Sequence, residues 1–307
     1  AQNNADSFWA FFMQKSHCTI HCFLILLQKI DEKGLNMLKS SRFLITAFIS
    51  LNTSAQNTSY QGFSYPDNAS NAISITFDDA RHSQVDNGLS LLNKYKVKAT
   101  FYVSPFNVEE RVSKWQKVVK DGHEIANHTN KHLCTGNFEW LRQQGLSLEQ
   151  ASLKDIEKDI IDSQQYIKQT LGVDAKAFAY PCGNTFVGRG ANTKSYVPLI
   201  AKHFDTGRTW LDETANNPNF TDFSQLTSLR IDGLTFAEIK AMIEQHRTNN
   251  SWIILAGHEI GERGQYSTDI NALEELINYL QKPETGYWLA TVSEVSTYIK
   301  QHRKDLQ

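Results

Sequence analysis

Asp78 and Asp79 stand side by side at the end of an apolar, β-prone run, Ala72-Ile73-Ser74-Ile75-Thr76-Phe77, and His128 and His132 follow further along the chain. One carboxylate and two imidazoles suffice to hold a divalent cation and leave room for water, as a catalytic metal site requires. Adjacent carboxylates repel, and a cation relieves this by binding one of them. The other then remains for proton transfer beside the charge. Neutral imidazole suits Zn²⁺, and Co²⁺ or Ni²⁺ as alternatives. The four-residue spacing of the histidines predicts one helical turn with both rings on one side. Asn127 and Thr129 are candidates for fixing that turn. His258, in Leu255-Ala256-Gly257-His258-Glu259, is a candidate general acid. Gly257 is expected to allow close substrate approach, and Glu259 to face away and cap the next segment. Each group also has a plain structural alternative. An Asp pair can cap a helix or close an Asx-turn, and spaced histidines are common on surfaces.

The elements that position these groups are legible from periodicity. Apolar β-prone runs occupy residues 72–77, 99–103, 124–127, 177–180, 226–231, 252–256 and 288–291, with a less regular one at 204–210. Helical periodicity fills residues 85–95, 114–120, 148–171, 236–248, 270–280 and 292–303. Strands alternating with helices predict a parallel sheet with helical crossovers, and seven or eight units predict closure into one α/β barrel. An open doubly wound sheet is the alternative, but no G-x-G-x-x-G or P-loop follows the first strand. Barrel active sites lie at the carboxyl ends of the strands. Asp78-Asp79, His128, Pro181-Cys182-Gly183, Asp232 and His258 each follow a predicted strand directly or within a residue or so.

The chain has 307 residues, with 31 Lys and Arg against 33 Asp and Glu. That balance, without a basic run, excludes nucleic acid or an anionic membrane as the main partner and is compatible with a glycan. Met37 begins a short basic stretch, residues 43–51 are apolar, and Thr53-Ser54-Ala55 offers small residues for cleavage. Residues 37–55 therefore read as a signal peptide, with 1–36 upstream of the true start, a lead-in over 56–70 and the catalytic domain over 71–304. The apolar core is too short for a membrane anchor, so a secreted or periplasmic protein is expected. Cys18 and Cys22, near His17 and His21, resemble a metal box but fall in the upstream segment. An oxidising compartment permits a disulfide between Cys134 and Cys182; two free thiols are the alternative.

Four ordered motifs carry a resemblance: Thr76-Phe77-Asp78-Asp79, His128-Thr129-x-x-His132, Tyr180-Pro181-x-Gly183 and Leu255-x-x-His258. Over roughly residues 70–300 the chain resembles the NodB-type polysaccharide deacetylases, carbohydrate esterase family 4. The resemblance implies a distorted (β/α)7 barrel acting on N-acetylated or, in some members, O-acetylated glycans. It implies Asp78 as base, Asp79, His128 and His132 as ligands of a divalent metal, and His258 as acid. It also implies that the residue after Pro181, Cys182, offers its backbone N–H to the oxyanion. The family's further Asp/Trp motif is not clearly present; Trp210 is a candidate for lining the groove and Asp232 for orienting His258, with packing roles as the alternative. Three departures stand out. Ala80-Arg81 replaces the frequent Gly-Pro, two residues rather than one separate Leu255 from His258, and Ala179 stands where the family often has an arginine behind the base. Arg81, Arg208 or Arg230 is expected to supply that cation. A small-amide hydrolase on the same fold and a silent glycan-binding barrel are the rival functions.

Overall fold

The structure is a computed structural model and describes residues 63–248 and 250–303. The expected signal peptide, the segment before it and the Cys18/Cys22 cluster lie outside the described residues.

β1 (Asn71–Asp78) is buried along its whole length, as its apolar run requires of a central parallel strand covered on both faces. It is followed by β2 (Thr100–Val103), β3 (Glu124–Asn127), β4 (Ala177–Ala179), β5 (Thr206–Arg208), β6 (Leu229–Arg230), β7 (Trp252–Gly257) and β8 (Tyr287–Leu289). They form one sheet in the order β5-β4-β3-β2-β1-β7-β6, every pairing parallel. β8 pairs with the first half of β1, Asn71 to Ile73, and β2 with the second, Thr76 to Asp78. The sheet curls until its edges meet through Leu226, whose N–H donates to Gly207 O and whose carbonyl accepts from Thr209 N–H, both at 2.8 Å. This is the distorted (β/α)7 barrel.

Alternation along β1 sorts its side chains. Ile73, Ile75 and Phe77 join the layer under the helices, with Phe101, Trp115, Leu255 and Leu276. Ala72 faces inward with Tyr102, Ala126, Ala177, Ala179 and Ile254. Ser74 accepts a hydrogen bond from the buried Trp252 indole at 3.0 Å. By the same period Asp78 faces the barrel interior at its mouth. Small alanines on the neighbouring strands leave room there for polar groups.

Local chemistry sets the element ends. The helix expected from residue 148 begins at Leu153, because Ser152 and Asp155 form a reciprocal capping box. Equivalent boxes, Thr235 with Glu238 and Thr291 with Glu294, start the helices Phe236–Gln245 and Val292–His302. The strand expected over residues 226–231 shortens to β6, because Leu226 pairs with the opposite sheet edge. Phe63 and Tyr65, in the polar lead-in, are buried, and both rings lie against Tyr298. No helix among the described residues is long and apolar enough to cross a membrane.

Candidate active site

The Asp pair is divided by its backbone. Asp78 ends β1, whereas Asp79 and Ala80 turn into the left-handed region with φ of 74° and 58°. Non-glycine residues held there cost about 1–3 kcal/mol each, least for Asp, so the surroundings must enforce the turn. Asn107 donates to the Asp79 carbonyl at 2.8 Å, and Arg81 Nε donates to Asp79 Oδ2 at 3.0 Å. The adjacent carboxylates consequently meet different partners.

Asp79 Oδ1 lies 3.3 Å from His128 Nε2 and 3.2 Å from His132 Nε2, and none of these contacts is aligned as a hydrogen bond to that oxygen. All three atoms lie within 4.8 Å of one another. Ligand bonds of about 2.0–2.1 Å at tetrahedral angles place donor atoms about 3.3 Å apart, so these residues fit a small divalent cation. The buried, orphaned oxygen supports the same fit. His128 Nδ1 lies 2.9 Å from Ala179 O, and this contact directs the Nδ1 proton to the carbonyl and leaves Nε2 as the free donor atom. Burial disfavours the Asp79 carboxylate, but the two imidazoles outweigh it and hold its pKa well below the ordinary value.

The histidines do not meet across a helical turn as expected. Residues 128–132 form a loop in which Thr129 and His132 have φ of 63° and 49°. Thr129 N–H donates to Asn127 Oδ1 at 2.8 Å, and His132 N–H donates to Thr129 Oγ1 at 3.0 Å. These two side-chain turns replace helical bonds and fold the chain back so that both rings face Asp79. His132, Cys134 and Cys182 form a second group of donor atoms within the same reach. Its sulfurs are joined in a disulfide, which removes them as thiolate ligands.

Asp78 meets Arg208. The guanidinium hydrogen-bonds and ion-pairs with Asp78 Oδ1, and both side chains are buried. Arg208 also donates to Thr209 O at 2.8 Å and Ser228 Oγ at 3.2 Å, and its Cζ lies 4.6 Å from the Tyr102 ring centre. Of the three candidate arginines, Arg208 therefore backs Asp78. Arg81 holds Asp79, and Arg230 is exposed at the rim.

His258 begins the segment after β7. Its Nδ1 lies 2.7 Å from Asp232 Oδ2, and its N–H donates to Asp232 Oδ1 at 3.1 Å. Thr268 also donates to Asp232 Oδ1, at 2.7 Å. Burial disfavours the imidazolium, but Asp232 and the charges of Asp78 and Asp79 prevail, and the pKa is raised. Trp210 and Tyr266 set their rings edge-on to His258, with centres 4.8 and 5.6 Å away. Gly257 serves this support rather than substrate approach, because a Cβ there would fall 2.4 Å from Thr268 Oγ1 and 2.9 Å from Asp232 Oδ1. Glu259 does not cap a following segment. It opens the short strand Glu259–Gly261 and accepts a hydrogen bond from Ser83.

Pro181, Cys182 and Gly183 form a tight turn beyond β4, with φ of 55° at Cys182 and 67° at Gly183. A Cβ on Gly183 would meet the Trp210 backbone at 2.9 Å, so glycine is required for Trp210 to close over the turn. Cys182 is bonded to Cys134, two residues after His132. Asp78, Asp79, His128, His132, Cys182 and His258 line one groove of about 1060 Å³, whose walls include Phe106, Trp140, Trp210 and Tyr266. Thr268, Tyr266 and Gln84 were not legible as site residues, since only the fold brings them beside His258.

Residues 66–197 match the family model described as polysaccharide deacetylase. Over 156 residues the chain is 30% identical to the peptidoglycan-N-acetylglucosamine deacetylase of Bacillus cereus, covering 50% of this chain and 66% of that one. It spans smaller shares of other curated relatives, 10% and 26% of the next two. A crystal structure from Mycobacterium smegmatis superposes with a TM-score of 0.56 at 16% identity, covering 78% of this chain and 93% of that one. The Xyl-CE4 domain of a multidomain xylanase from the hindgut metagenome of Trinervitermes trinervoides gives 0.50 at 22% identity, covering 74% and 90%. By the family-model match and the likeness to the Bacillus cereus enzyme, the chain belongs to the NodB-type polysaccharide deacetylases, carbohydrate esterase family 4.

Proposed function

We propose that this protein is an exported, metal-dependent carbohydrate deacetylase that hydrolyses acetyl groups, N-acetyl in the first instance, on a polysaccharide or oligosaccharide. The carrying observation is the division of the Asp pair. Asp79 converges with His128 and His132 on one point, while Asp78 beside it is held apart by Arg208. The two-nitrogen, one-oxygen donor set suits zinc, with cobalt or nickel as alternatives. Asp79, His128 and His132 would hold a divalent ion, which would supply Lewis-acid polarisation of the attacking water and the acetyl carbonyl. Asp78 accepts the proton of that water, and Arg208 keeps its carboxylate in place. The Cys182 N–H stabilises the charge developing on the carbonyl oxygen. His258, kept protonated by Asp232, gives its proton to the departing amine or alcohol. Trp210 and Tyr266 fix the His258 ring and present flat apolar faces to a sugar. The Cys134–Cys182 disulfide supports an oxidising, extracytoplasmic location. The names of relatives, a peptidoglycan-N-acetylglucosamine deacetylase and a bifunctional xylanase/deacetylase, support peptidoglycan first and acetylated xylan second.

Acetate release from peptidoglycan, chitin oligomers and acetylated xylan, with and without chelator, tests the reading. Release that stops with chelator and returns with zinc is expected; no release from any of the three, with metal bound, overturns it. Asp78→Asn should keep the metal but lose about 10²–10⁴ in turnover, as for removal of a general base, whereas His132→Ala should lose both. Near-wild-type turnover in Asp78→Asn would mean that another group is the base.

A further inference from the structure

The segment after the Asp pair grips the segment that carries His258. It leaves β1 through a wide π-helical turn, Gln84–Gly88. Such turns are rare and concentrate at functional sites. Gln84 is fully buried, and its Nε2 donates to Asp78 O at 2.6 Å and to His258 O at 2.8 Å. A carboxamide nitrogen has two protons, and both are used here. Oε1 of the same side chain has no partner among the described residues, so the amide serves as a donor only. Its neighbours extend the grip. Ile260 N–H donates to Ser83 Oγ at 2.9 Å, and Asn87 Nδ2 donates to Ile260 O at 3.2 Å. Gly88 lies under Ile260 so closely that a Cβ would come within 2.2 Å of Ile260 Cδ1.

We infer that Gln84 is a positioning residue that couples the proton acceptor to the proton donor, one side chain setting the spacing between the Asp78 and His258 backbones. Asp232 orients the His258 ring from one side, and Gln84 fixes where that ring starts from the other. The kinetic consequence rests on the deacetylase reading; the positioning itself does not.

Two measurements on Gln84→Met, which keeps length and loses the donors, test this. The first is amide hydrogen exchange, which needs no activity. Exchange at His258 and Ile260 should rise on the order of tenfold, the effect of losing buried hydrogen bonds that hold the segment, while Ile73 and Ile75 in β1 stay as in the wild type. The second is kinetic. Gln84→Met should lower kcat about tenfold with KM within about twofold, and should cost almost nothing further in a His258→Ala background, because residues acting as a unit are not additive. Unchanged exchange at His258 and Ile260 overturns the inference. So does the same proportional loss of kcat in both backgrounds, which marks general destabilisation. Should Gln84→Met not fold, Ser83→Ala, at a partly exposed position, carries the same two readouts with about threefold expected effects. If the wild type releases no acetate, the deacetylase reading fails, and the exchange measurement still decides the clamp.

Discussion

Arg208 reaches Asp78 from β5, and it is the direct register partner of Ala179 on β4. The cation has moved by one strand spacing, about 4.8 Å, without leaving the inward face of the sheet. A long side chain bridges that step, and the Tyr102 ring supports it on the way. Removing one member of a buried ion pair costs about 3–5 kcal/mol, because the other charge stays buried and uncompensated. Arg208→Ala should therefore destabilise the domain by about that much in urea unfolding. Adding Asp78→Asn should recover a large part of it, since both charges are then gone. Strictly additive losses in the double variant would show that the pair is not coupled. The sequence places three arginines near strand ends, but their order along the chain does not choose among them. The choice depends on which strand lies beside β4.

At the scale of elements, strand ends and helix starts were legible because their signals are local. The capping boxes at Thr235 and Thr291 start their helices where expected, the one at Ser152 moves a start to Leu153, and β-prone runs locate the strands that lead to Asp78, His128, Asp232 and His258. The loop of His128 and His132 was not legible, since a four-residue spacing fits both a helical turn and two side-chain turns. The opposite end of β3 carries its own titrating group. His123 is buried, and its Nδ1 accepts the Ala99 N–H at 3.2 Å while its Nε2 faces Asn93 Oδ1 at 3.2 Å. Burial first, then Lys98, pushes its pKa down from 6.5 to about 4. The unfolded chain takes up this proton below about 6.5, whereas the folded chain resists until about 4. The His123 contribution is thus present above pH 6.5 and is lost progressively as the pH falls towards 4. Comparing urea midpoints across that window should show a decline that His123→Leu flattens. An equal decline in the variant would place the titrating group elsewhere.

For the whole molecule, the Cys134–Cys182 bond ties the loop of a metal-ligand candidate to the Pro181–Gly183 turn across 48 residues of chain. Closing a loop of that length lowers unfolded-state entropy by roughly 4 kcal/mol in the chain-entropy account. Replacing both cysteines with serine should cost stability of that order and reduce turnover as well, because His132 and Cys182 both lie on the tethered loops. Wild-type turnover at a lowered Tm would mean that the bond stabilises the fold without shaping the site. By itself the sequence determined the strand–helix alternation, the placing of Asp78, Asp79, His128 and His258 at strand ends, the donor atoms these residues and His132 offer, and the family they resemble. Residue type and short-range periodicity carry all of that. Only the tertiary structure decided that Arg208 rather than Arg81 or Arg230 backs Asp78, that the two cysteines are bonded, and that Gln84 hydrogen-bonds the carbonyls of both Asp78 and His258. Those contacts link distant segments, 130 residues apart for Arg208 and Asp78 and 174 for Gln84 and His258. Strand order and register create such contacts, and neither is written in any local stretch of chain.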